Sequence, residues 1–430
     1  MIRDRARHAR IHDLHAWSGI ALGLVVYVVC FTGSVALFHA EIQTWEDPAR
    51  RVSLPARPAP ITPAFEAWLD EAAAGDEVAF LRFDYPTTLA PYYAALAVVR
   101  GEEGRRDAHA RWHPGTAERL PERGEGLSTW LLDFHRDLMW PDGLGGRTVG
   151  RSLVGIVGVV LLLSIVTGLV AHAKIREEAY TLRLHRSVRL RWQDAHKVLG
   201  LWSLPFAGMI AFTGAFLGIV ALLAPVVAAI AFKGDVERLE RAVFGEAPER
   251  AGVPAEMVGL ETLGALRHSE SGRAPDRVIL THWGDAAAVF DVFFLADTEL
   301  ARYDTLSVDG VTGEASAGGP FGGAVSPAQR VTNAMSPLHY GDYGGAWLKL
   351  LYLTLGLLTA VITALGLMMW IERRKHGREG TKSAAFYERL SAINTGVVMG
   401  LPVATFALFV HDKLYAGAED ARLAWTGAAY

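Results

Sequence analysis

Five long apolar stretches, at residues 17–38, 153–171, 199–222, 347–370 and 392–410, constrain this chain more than any other feature. About 20 predominantly apolar residues carry a helix across the hydrocarbon core of a bilayer, and each stretch is of that order. Composition agrees: only 20% of the 430 residues are charged, against about 25% in soluble domains. The third stretch belongs to an apolar run that continues to Phe232 and carries Pro225. It reads as a span ending near Leu222, followed by an apolar segment near the membrane surface. The first stretch is too long for the core of a signal peptide, and no small-residue cleavage site follows it, so it reads as a retained helix.

Basic residues set the orientation, because Lys and Arg collect in short cytoplasmic loops. Residues 1–16, 172–198 and 371–391 are rich in them, and all three fall on one side if every stretch crosses once. The long segments 41–150 and 233–346, in both of which acidic residues outnumber basic ones, then lie outside, as does the C-terminal segment 411–430. The single cysteine, Cys30, sits inside the first stretch. That excludes internal disulfides, thiolate-held iron–sulfur clusters and, with no CxxCH, covalently attached haem.

Two of the spans align without gaps around their polar residues. His15-Ala-Trp-Ser-Gly19 leads to Thr32-Gly33, and His196-Lys-Val-Leu-Gly200 leads to Thr213-Gly214. On a straight helix rising ~1.5 Å per residue, each His would sit roughly 25 Å from its Thr-Gly, near the cytoplasmic edge. The exterior segments correspond too. Each has a helix-like stretch (residues 63–73; 261–268), strand-like alternation (78–85 and 92–99; 278–283 and 288–295) and a turn, His113-Pro-Gly-Thr in one and Asp309-Gly-Val-Thr-Gly313 in the other. Just before the next span come Leu-Asp-Phe-His135-Arg-Asp and Ser-Pro-Leu-His339-Tyr-Gly-Asp. The predicted architecture is a membrane all-α core of five transmembrane helices, built as two span–domain–span repeats plus one helix, with two small α+β exterior domains. Each unit has an even number of spans, so the repeats are parallel.

The stretches LHAWSGIALGLVVYVVCFTG, HKVLGLWSLPFAGMIAFTG and PLHYGDYGGAWLKLLYLTLGLL…WIERRK resemble the PepSY-associated transmembrane family of iron-regulated membrane proteins. VDGVTGEA and the paired exterior segments are similar to PepSY modules. The likeness covers roughly residues 10–375; the first exterior turn, RWHPGTAE, departs from the usual Asp-containing form. The family includes bacterial inner-membrane ferric-siderophore reductases. The resemblance therefore implies a protein of that membrane, with periplasmic domains, that holds haem b and passes electrons to a ferric chelate.

The histidines are read beside that. Of fifteen, seven lie at or near span ends: His15, His172 and His196 on the inner side, His39, His135, His339 and His411 on the outer. An ionisable group at membrane depth is expensive and faces the bundle interior with a partner, and imidazole is an axial ligand of haem iron. His15 and His196 occupy equivalent positions in the two repeats, and so do His135 and His339. That gives two candidate bis-histidine sites, one near each face, and hence two haems b per chain. His39 is the substitute for an outer ligand and His172 for an inner one. His411 lies on the unrepeated helix and reads as an interfacial residue; His8, His12, His185 and His376 read as solvated. Small residues let helices approach closely, and most of the span glycines read as packing. Gly19 and Gly200, one turn above the proposed inner ligands, are set apart as candidates for a haem face.

No GxGxxG follows a strand, and there is no GxxxxGK[ST], kinase-like set or HExxH. The glycine-rich segment 318–323 reads as a flexible exterior loop. Without a flavin or nicotinamide module, electrons would arrive from quinol or from a cytoplasmic reductase docked on the basic inner loops; no nucleic-acid partner is expected. Beside a haem-dependent ferric-siderophore reductase stand two other classes. One is a non-catalytic protein whose exterior domains recognise a ligand or partner. The other is a transporter, disfavoured because no Gly- or Pro-broken helix with polar groups at the midplane is evident in corresponding spans.

Overall fold

The chain runs α1 (Ile2–Ala36), α2 (His39–Glu46), α3 (Thr62–Ala73), β1 (Glu77–Asp84), β2 (Tyr93–Gly101), β3 (Gly104–Trp112), α4 (Leu127–Asp137) and α5 (Gly146–Ala171). It continues through α6 (Val188–Trp202), α7 (Leu204–Ala231), α8 (Val236–Phe244), α9 (Leu260–Ala265), β4 (Arg277–Thr281), β5 (Val289–Leu295), β6 (Tyr303–Asp309), β7 (Ala315–Ala317), α10 (Pro327–Tyr340), α11 (Gly345–Lys375) and α12 (Lys382–Leu414). This is a computed structural model, and it describes residues 2–101, 104–121, 126–172, 177, 179–183, 185, 187–245, 248–267, 272–295, 303–317, 327–375 and 382–414. The glycine-rich segment 318–323 and His376 lie outside the described residues. The chain forms two units, a helical one (Met1–His39, Glu125–Leu223, Leu338–Tyr430) and one containing the sheet (Ala40–Gly124, Ala224–Pro337).

Among the described residues, four helices are long and apolar enough to cross a membrane, in α1, α5, α11 and α12. The third apolar stretch corrects the expectation of a straight span. It is broken between α6 and α7, which meet at 71°, so a fifth crossing exists only if the bent pair is one span. The cause is local. Ser203 ends α6, its backbone N–H and its hydroxyl both returned to the Leu199 carbonyl. Pro205 then stands at the second position of α7, where its missing N–H costs nothing and its fixed φ suits a helix start. The corresponding α1 is continuous, so His196 and Thr213 are not stacked along one axis as His15 and Thr32 are.

The sheet unit also differs from expectation. Its seven strands form one sheet in the order β3-β2-β1-β4-β5-β6-β7, antiparallel throughout. The first repeat supplies β1–β3 and the second β4–β7, and they join where Arg82, Phe83 and Asp84 pair with Ile279, Val278 and Arg277. The two strand-bearing segments thus share one sheet rather than forming two small domains. Alternation along the strands sends Leu81, Phe83, Val278, Leu280, Phe290, Val292 and Phe294 into a common core with Phe65 and Trp68 of α3 and Leu260 and Leu263 of α9. The starts of α3 and α9 cap each other. The Glu261 carboxylate accepts from the Ile61 and Thr62 N–H groups and from the Thr62 hydroxyl, while Thr62 Oγ1 accepts from Leu260 N at 2.8 Å. Burial pushes the Glu261 carboxyl upward, but these hydrogen bonds outweigh it and hold the group below its ordinary value.

The two turns match despite their different sequences. Asp309 N–H donates to Glu314 O and Gly313 N–H to Asp309 O; His113 N–H donates to Glu118 O and Ala117 N–H to His113 O. Where Asp309 Oδ1 accepts from Val311 and Thr312 N–H, His113 Nδ1 accepts from Gly115 N–H. An imidazole nitrogen does the work of a carboxylate oxygen in the turn of the first repeat.

Candidate functional site

All four symmetric histidines lie in the helical unit, and the fold brings them together in two pairs. The rings of His15 and His196 have centroids 6.3 Å apart with planes crossed at 64°. Those of His135 and His339 are 6.2 Å apart and within 21° of parallel. About 20 Å of α1 axis separates His15 from Val29, against which His135 stands, at ~1.5 Å rise per residue. The pairs therefore sit at different depths along the bundle.

Each ring is held by its Nδ1. His15 Nδ1 lies 2.8 Å from Ser164 O on α5, His196 Nδ1 2.8 Å from Ile362 O on α11 and His135 Nδ1 2.9 Å from Val29 O on α1. A carbonyl only accepts, so Nδ1 carries the proton in all three and the lone pair of the neutral ring is on Nε2. His339 Nδ1 is 3.0 Å from Thr213 Oγ1 on α7. A hydrogen bond at one ring nitrogen that fixes the tautomer and leaves the other for a metal is the usual support of a ligating histidine. Burial lowers His135 and His339 from their ordinary range, and the Arg136 guanidinium beside His135 and the His135 ring beside His339 add to it. Both rings are therefore neutral at ordinary pH.

Glycines make room for the rings. A Cβ on Gly33 would lie 2.6 Å from His135, on Gly168 2.9 Å from His15, on Gly214 3.0 Å from His339 and on Gly366 3.1 Å from His196. In three cases the glycine is four residues, or one helical turn, beyond the carbonyl that holds the ring (Val29 and Gly33, Ser164 and Gly168, Ile362 and Gly366). The supporting helices are braced in turn. Arg147 of α5 reaches Asp133 at 3.4 Å and Asp137 at 3.5 Å on α4, and Tyr352 of α11 donates to Leu338 O on α10 at 2.9 Å. At the other pair, Arg183 clasps Asp194 of α6 through its backbone N–H and its guanidinium.

The spacing of each pair would accommodate a haem iron held by both imidazoles. Two nitrogens each about 2.0–2.1 Å from one metal lie about 4 Å apart, and the half-width of each ring brings the centroids to about 6 Å. Among the described residues no group of three or more His, Cys, Asp or Glu could hold a bare metal ion.

The sequence profile of the PepSY-associated TM region matches residues 12–373. The chain belongs to the PepSY-associated transmembrane family. An uncharacterised protein of Pseudomonas aeruginosa is 30% identical over 323 residues, 69% of this chain and 75% of that protein. The match to the PepSY-associated TM region takes in all four paired histidines and ends before α12.

In this PepSY-associated transmembrane protein the remaining candidates lie elsewhere. His39 opens α2, His172 caps the end of α5, and His411 is in the last turn of α12. The rings in the two pairs described above are those of the four repeat-related histidines. A Cβ on Gly19 would meet nothing within 4 Å, and one on Gly200 only Ile362 at 4.0 Å, so neither glycine is explained by helix packing. The glycines that abut the rings are Gly33, Gly168, Gly214 and Gly366, of which Gly168 and Gly366 stand on helices that carry none of the four histidines. A signal existed, since both lie in the C-terminal halves of their helices, but no local spacing links them to a histidine.

Proposed function

We propose that this protein is a b-type haem oxidoreductase of a bacterial inner membrane that passes electrons across it to a ferric siderophore or similar ferric chelate in the periplasm, releasing Fe(II). The observation that carries this reading is the pair of facing imidazoles at each of two depths, 6.3 and 6.2 Å between centroids, with Nδ1 engaged in every ring. Haem b bound between each pair would supply a one-electron iron couple. The chain's own residues do the rest: four imidazoles present Nε2, Ser164, Ile362, Val29 and Thr213 fix their tautomer and direction, and four glycines admit the rings. The basic loops 172–198 and 371–391 face the cytoplasm in this reading, where a reductase would dock; quinol in the bilayer is the other source of electrons.

The purified protein should show Soret and α bands that sharpen on reduction. Acid–acetone should extract the pigment, and a pyridine haemochrome assay should find one haem for each histidine pair. Anaerobic mixing of dithionite-reduced protein with a panel of ferric chelates should reoxidise it. A colourless protein would leave a non-catalytic binding role, and reduced haem indifferent to every ferric chelate would remove the substrate class.

A further inference from the structure

Thr32 and Thr213 are equivalent in the two repeats, both fully buried, and both hydroxyls donate to the carbonyl four residues back, Val28 O and Met209 O at 2.8 Å. The repeat-related histidines nonetheless use them differently. His135 bypasses Thr32 and bonds Val29 O; the residue matching Val29 in the second repeat is Ile210, yet His339 bonds the Thr213 hydroxyl. A hydroxyl has one proton, and that of Thr213 lies toward Met209 O. Its oxygen is then the acceptor, and His339 Nδ1–H the donor. We infer that Thr213 is a positioning residue whose side-chain oxygen fixes the ring plane of His339 and tunes the haem site it shares with His135, whereas at the His15/His196 site both acceptors are main-chain carbonyls.

The physical consequence concerns electron donation. A hydrogen bond from Nδ1–H makes an imidazole a more basic ligand, and a backbone carbonyl is a stronger acceptor than a neutral hydroxyl. The His15/His196 site has two carbonyl-supported rings and the His135/His339 site only one. The latter is therefore the weaker donor set and holds its iron at the higher potential, so that electrons entering at the first site move downhill to the second.

The inference rests on the haem-ligand reading above, and the test separates the two. Haem content and redox titration are measured on the full-length parent and on Thr213→Val and Thr213→Ser. Valine keeps the volume and removes the acceptor; serine restores it. Thr213→Val should raise the midpoint potential of one haem and leave the other in place, with Thr213→Ser returning to the parent value. The low-spin ferric signals identify which haem moves, because nearly parallel and crossed ligand planes give different anisotropies in electron paramagnetic resonance; the shifted centre should be the nearly parallel one. A parent without haem overturns both readings. Two bound haems with neither potential raised in Thr213→Val, or a rise that serine does not reverse, overturns the role of Thr213 alone.

Discussion

Gly33→Ala is the substitution for which the structure and general helix energetics give opposite answers. Alanine is favoured over glycine inside a helix by about 1 kcal/mol, so at an open position this change stabilises. At Gly33 the new methyl would lie 2.6 Å from His135 Cε1, whereas carbon atoms rest at about 3.5 Å or more, so the ring must retreat by about 0.9 Å. The ring is buried and tied to Val29 O at 2.9 Å, so it cannot swing aside freely. Forcing an extra methyl into packed surroundings costs about 1–3 kcal/mol, which leaves a net destabilisation of about 0–2 kcal/mol after the helix gain. The larger effect is on the ring's place beside His339, 6.2 Å between centroids. Purified Gly33→Ala should lose the haem of the His135/His339 pair and melt no higher than the parent. The same change at Gly366, where the contact is 3.1 Å, asks for only about 0.4 Å and should keep its haem with a shifted spectrum. Gly208→Ala, with nothing within 4 Å, is the control and should be neutral or stabilising. If Gly33→Ala keeps full haem and gains stability as Gly208→Ala does, the His135 ring is not against Gly33 and the site geometry is wrong.

Three further outcomes are expected. His135→Ala/His339→Ala should resemble either single mutant in haem content, because one missing axial ligand already disables a shared site, while His15→Ala/His339→Ala should lose both haems; retention of both in that double mutant would refute the pairing. Glu261 is held below its ordinary 4.5 in the fold, so its bonds to Ile61 and Thr62 contribute stability that is complete above that value and lost as pH falls through the lower folded pKa. Glu261→Gln should therefore flatten the acid end of the stability profile, read from the fluorescence of the core tryptophans Trp68 and Trp112, and identical acid profiles would remove Glu261 from that role. A reporter within residues 101–106 should behave as exported and one after Thr381 as cytoplasmic; a cytoplasmic signal from the first would invert the orientation.

What the sequence made legible followed from periodicity and repetition. The helices α1, α5, α11 and α12 are long and apolar enough to cross a membrane, and repeat symmetry beside the family resemblance singled out His15, His196, His135 and His339 from fifteen histidines. The features it hid are set by contacts distant along the chain. Strand-like alternation in 78–85 and 278–283 says that each segment has an inward face, but not that Phe83 and Val278 turn theirs to the same core. Gly168 lies 153 residues from His15, and only the packing of α5 on α1 shows why it lacks a side chain. The break at Ser203 was within reach, because Pro205 cannot donate to the Leu201 carbonyl and its ring crowds it in a continuous helix, yet the apolar run 199–232 masks it. His113 concealed its turn by using ring nitrogen where the second repeat uses Asp309.

The joining of β1 to β4 has a consequence for biosynthesis. Arg82 and Ile279 are partners in the sheet but are nearly 200 residues apart, with α5 and the bent α6–α7 segment between them. A chain emerging from the ribosome at about 5–20 residues per second completes β1–β3 many seconds before β4 exists. During that interval the far edge of β1 presents unpaired N–H and C=O groups, and Phe65, Trp68 and Phe83 await half of their core, the state in which strands pair with the wrong partner. Long-range pairing of this kind is slow to form. Maturation of this protein is thus a race between insertion of its second half and mispairing of its first, and expression of residues 1–172 alone would leave the open edge as its permanent condition.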